Sequence, residues 1–98
     1  MVIGVKHGTY EVYAVEHGLT IRTKNPLRTL RKVTQHGFPA YLRWGSGWVL
    51  VYPETLKELE ESGEAVAAFM LEPPTFRGCK AYYYVKLSLS SLQSGRPQ

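Results

Sequence analysis

The sequence predicts an α+β fold: a mostly antiparallel sheet with two short helices, in the order βββ-α-ββ-α-ββ. Three patterns predict it. Residues 80–90, Lys-Ala-Tyr-Tyr-Tyr-Val-Lys-Leu-Ser-Leu-Ser, alternate with a period of two, the mark of a strand with one buried face. Residues 26–36 and 53–63 carry helix start and stop signals instead. The remaining β-rich runs are short and bounded by Gly-containing turns.

Residues 2–24 read as a meander. Val5-Lys6-His7-Gly8-Thr9 returns ten residues later as Val15-Glu16-His17-Gly18-Leu19. Gly takes positive φ at little cost, so each His-Gly is a hairpin turn. The strands are Val2–Lys6, Thr9–Glu16 and Leu19–Lys24. Asn25-Pro26 then opens a helix, with Asn as N-cap and Pro at the first helical position. Leu27, Leu30 and Val33 make its apolar stripe, Arg28, Arg31 and Lys32 lie off it, and His36-Gly37 closes it.

Phe38–Trp44 and Trp48–Tyr52 form a hairpin around Gly45-Ser46-Gly47, with Trp44 and Trp48 packed across the turn. Phe38, Ala40, Leu42 and Trp44 share one face; Tyr41 and Arg43 share the other. Pro53 to Gly63 is the second helix, with Thr55-x-x-Glu58 as a capping box. Its Leu56 and Leu59 make a thin apolar edge beside many glutamates. Ala65–Leu71 is continuously apolar, as in a strand buried on both faces. Pro73-Pro74 ends it, and the tyrosine strand follows after a loop. The domain spans 1–90, and 91–98 is a flexible tail rich in Ser, Gln, Gly and Pro.

Residues 19–71 alone read β-α-β-β-α-β, the split βαβ or ferredoxin-like order. That order invites comparison with RNA-recognition motifs, whose signature is a basic-Gly-aromatic run on the third strand. The corresponding run here is Gly45-Ser46-Gly47-Trp48-Val49-Leu50-Val51-Tyr52. It has the Gly and an aromatic but not the spacing, so membership is not assigned.

Ninety-eight residues make one domain able to bury a core. No apolar run reaches the roughly 18–20 residues of a membrane span, and the N-terminus lacks a secretory pattern. Cys79 is the only cysteine, which suits a reducing cytoplasm. All eight carboxylates are Glu, and Asn25 is the only Asn. Few Asn and Cys beside Glu, Lys and Arg is a thermophile pattern. The net charge of +4 is uneven. Residues 1–52 hold seven Lys/Arg against two Glu, 53–72 one against six, and 73–98 four against none. A basic surface that sets one acidic helix apart attracts polyanions.

The candidate site follows from strand parity. Lys6, Arg22, Lys24, Tyr41, Arg43, Tyr82, Tyr84 and Lys86 occupy polar positions of the predicted strands. On one sheet face, Tyr82 and Tyr84 would stack on unpaired bases, while Arg22, Lys24, Arg43 and Lys86 contact phosphates and Tyr41 adds a ring. This favours single-stranded nucleic acid, RNA or DNA, as the partner. The alternative is a homodimer or other protein-interaction module, through the acidic helix or through edge pairing of strand 65–71 or the tyrosine strand. No zinc spacing joins His7, His17, His36 and Cys79, so turn roles are expected and no metal or cofactor. Nucleophile-elbow, phosphate-loop and metalloprotease motifs are absent, so catalysis is not expected. Metal-free ribonuclease chemistry with His, Tyr and Arg needs no motif and is the enzymatic alternative.

Overall fold

The computed structural model describes residues 9–71 and 83–94. Strand β1, Tyr10–Ala14, turns into β2, Leu19–Thr23, because Ala14 O accepts from both His17 N (3.1 Å) and Gly18 N (2.8 Å). The His17-Gly18 turn therefore falls where the sequence predicts it. The expected first strand and the His7-Gly8 turn lie outside the described residues.

Helix α1, Pro26–Val33, starts as expected: Asn25 Oδ1 accepts from Arg28 N at 3.2 Å. It stops three residues before the expected end at His36. Thr34 caps it, and the Thr34 hydroxyl donates to Leu30 O at 2.8 Å. Pro26, Leu27, Leu30 and Val33 are buried, so the three-residue stripe is the packed face.

β3, Ala40–Trp44, and β4, Gly47–Val51, pair through a two-residue turn. Gly45 holds φ +61° and Ser46 is not at positive φ, the combination of a type II′ hairpin turn. Trp44 pairs with Gly47, and Arg43 pairs with Trp48. The tighter loop puts the two tryptophans on opposite faces, so the expected packing across the turn does not form.

Helix α2, Pro53–Ser62, begins two residues before the expected capping box. Thr55 sits at the third helical position, where its Oγ1 accepts from Tyr52 N at 3.2 Å. Pro53 fixes this start, since its ring is preset for the first helical position. The helix ends at Gly63, φ +84°. Arg31 on α1 donates from Nε (2.9 Å) and from its terminal nitrogen to Glu60 on α2. Part of the acidic helix is thus answered within the chain; an exposed pair of this kind contributes up to about 1 kcal/mol.

β5, Glu64–Met70, buries Ala65, Ala67 and Phe69 but leaves Val66 57 % exposed. It is not sealed on both faces, because the helices cover only one. β6, Tyr83–Ser88, is followed at once by helix α3, Leu89–Ser94. The sequence reading ends the strand at 90 and starts a tail at 91. Instead Leu92 is fully buried, and Leu89 packs beside the core. Polar composition hid a one-sided apolar pair at i, i+3.

The six strands among the described residues form one antiparallel sheet in the order β2-β1-β3-β4-β5-β6. The ferredoxin-like arrangement is not what forms. β2 and β3 are parallel across a gap, as a split βαβ unit requires, but β1 fills the gap where the ferredoxin-like order has β4. α1 packs on β1 and β3, α2 on β4 and β5, and α3 on β6 and α1. Val12, Leu30, Leu42, Val49, Leu59 and Leu87 fill the layer between, with no exposed surface.

Candidate functional site

Antiparallel partners point to the same side of a sheet, so the register fixes which residues share the face opposite the helices. Thr20 pairs with Tyr13, Tyr13 with Tyr41, Tyr41 with Leu50, Leu50 with Ala68, and Ala68 with Tyr84. These six residues form one row across every described strand, about 24 Å long at the usual strand spacing. The Tyr13 and Tyr41 rings are 6.4 Å apart and tilted by 52°. Tyr84, at the far end, is 69 % exposed.

Charged side chains flank the row. Arg43 lies two residues along β3 from Tyr41 and opposite Trp48. Its guanidinium sits 5.1 Å from the Trp48 ring centre, and its Nε donates to Gly45 O at 3.2 Å. Cation and ring thus hold each other, and the buried Trp48 is a floor rather than a stacking surface. Arg22 lies opposite Glu11, 3.8 Å from its carboxylate. Lys86, opposite Val66, is 3.6 Å from Glu64. Both pairs are exposed, so each cation can exchange its partner for a phosphate at small cost.

The structure therefore brings together Arg22, Tyr41, Arg43, Tyr84 and Lys86 on one face. Lys24 is exposed and follows the end of β2, in the bend leading to Asn25, so the strand register does not place it. Tyr82 and Lys6 lie outside the described residues. Sequence reasoning missed Tyr13 as part of this face. Its parity with Glu11, opposite the buried Val12 and Ala14, was the available signal. Tyr83 points to the helix side, as expected, but stacks on Phe69 at 4.8 Å near the end of the sheet and stays 56 % exposed.

The remaining chemistry lies elsewhere. Burial raises the Tyr10 phenol above its ordinary pKa, but Tyr10 belongs to the helix side. His36 Nδ1 is 2.9 Å from one Glu16 oxygen, and His17 Nε2 is 3.8 Å from the other. This cluster ties the β1–β2 turn to the segment after α1. Among the described residues no group of three or more His, Cys or carboxylate side chains could hold a metal ion. Nor is any described helix long and apolar enough to cross a membrane. No family model, curated protein or solved structure matches this chain.

Proposed function

We propose that the sheet face opposite the helices binds single-stranded nucleic acid, RNA or DNA. The observation that carries this reading is the single row holding Tyr13, Tyr41 and Tyr84, flanked by Arg22, Arg43 and Lys86. Tyr84 is well exposed and Tyr13 and Tyr41 are half-buried, and a ring with an open face accepts a base by stacking at roughly 1–3 kcal/mol, since every base offers a π-face. The flanking cations meet the phosphates. A duplex hides its bases, so it loses the stacking term and binds more weakly.

The test is fluorescence anisotropy with single- and double-stranded oligonucleotides at two salt concentrations. Tyr84→Ala and Tyr41→Ala should each weaken single-strand binding by about 5-fold or more at fixed salt. Tyr41 lies in the sheet interior, so its effect reports on the face rather than on the β6 edge. Three phosphate contacts on a single strand give a log–log salt slope of about −2. Unchanged affinity in both variants, with circular dichroism intact, rejects the stacking face.

A further inference from the structure

We propose that β6 is the seam of a homodimer, in which the β6 strands of two copies pair antiparallel about a two-fold axis at Val85. The two sheets then continue into one. This does not rest on nucleic-acid binding.

The sheet has two edges among the described residues, β2 and β6. β2 carries Thr20 and the ion-paired Arg22 on its open face and exposes one large apolar side chain, Leu19, and no aromatic ring. β6 is different. It exposes Tyr83 and Tyr84 by more than half, with the exposed Val66 beside it on β5. Edge strands are ordinarily blunted by charge, proline or a bulge, and an aromatic edge is a template for further pairing. Lys86 is the only charged residue of β6.

The sequence of β6 selects its own complement. Two-fold antiparallel pairing must keep like faces together, so the axis falls at a residue. At Lys86, two ammonium groups oppose each other. At Tyr84, each Lys86 pairs beyond the start of β6. At Val85, every residue from Tyr83 to Leu87 pairs within the strand, and each Lys86 meets a Tyr84. Tyr84 then meets the partner's Lys86 twice on the open face, a cation beside an aromatic ring. On the helix side, Val85 meets itself, and Tyr83 stands in register opposite the partner's Leu87, which its own core already covers. Glu64 lies on the flank of each Lys86 and keeps the seam from accumulating positive charge. A second copy is the occupant that this self-complementary Tyr-Val-Lys pattern fits.

The test is sedimentation equilibrium of the full chain, without nucleic acid, over a concentration series. The wild type should be a dimer. Tyr84→Lys puts lysine opposite lysine at both ends of the seam and should weaken association by 10-fold or more, about 1.4 kcal/mol. The substitution lies on an exposed side chain, and circular dichroism checks that the variant folds. Adding Lys86→Glu to Tyr84→Lys places opposite charges across the seam and should recover association relative to the single variant. A wild type monomeric at about 100 μM overturns the proposal, as does a dimer indifferent to Tyr84→Lys. Failure of the double variant to recover overturns the Val85 register. These readouts contain no oligonucleotide, so they stand or fall separately from the binding face.

Discussion

Leu92→Ala is expected to destabilise the protein by about 2–5 kcal/mol, the usual cost of emptying a fully packed leucine site. Leu92 has no exposed surface, and α3 carries it against β6 and α1. It reaches the core from a helix only six residues long, Leu89–Ser94. So short a helix has little stability of its own and depends on this burial. Thermal unfolding should show a melting temperature lower by about 10 °C or more. A chain ending at Ser90 loses the same side chain and should melt at least as early. A shift below about 2 °C in both would mean that α3 adds nothing to the core.

Gly47→Ala is expected to cost about 2–3 kcal/mol, at the upper end of overpacking changes. A β-carbon at Gly47 would lie 2.4 Å from Met70 O and 2.5 Å from Phe69 Cζ. The ring can swing aside, but the carbonyl belongs to the β5 backbone. Relief therefore requires β4 and β5 to separate. Gly45 two residues earlier is a useful contrast. It needs its positive φ, but an added β-carbon there meets nothing within 4 Å. Gly45→Ala should thus strain the turn locally, while Gly47→Ala disturbs the sheet. Phe69→Leu should recover only part of the Gly47→Ala loss, and the coupling is measured by a double-mutant cycle in urea. Full recovery would show that the ring, not the backbone, sets the limit. A Gly47→Ala cost below about 0.5 kcal/mol would show that the strands part readily.

Local chemistry made most elements legible. Asn25-Pro26 and the Leu27, Leu30, Val33 stripe place α1, and Pro53 and Gly63 bracket α2. Alternation placed Tyr41 with Arg43 and Tyr84 with Lys86. Much of what failed depended on how elements pair and pack rather than on local chemistry. Element order alone does not say that β1, rather than β4, stands between β2 and β3. Apolar composition in 65–71 does not say which side the helices take, so Val66 reads as buried until the layers are known. Strand 65–71 is also interior, which leaves the tyrosine strand as the edge for pairing. Across Trp44 and Trp48, a one-residue difference in loop length changes the face, because side chains alternate. The candidate face was half legible. Its members could be named by parity, while the row linking Tyr13, Tyr41 and Tyr84 exists only through register.

The sheet order also bears on how the chain finds its structure. Apart from the exchange of β1 and β2, strands lie side by side in the sequence in which they are synthesised. Each new neighbour closes a modest loop, and adjacent strands all run antiparallel. Pairing between successive elements limits the entropy lost before native contacts bring their reward. The chain should therefore reach its native state faster than sandwiches of similar size, with the β1–β3 contact, which must wait for α1, as its slowest step.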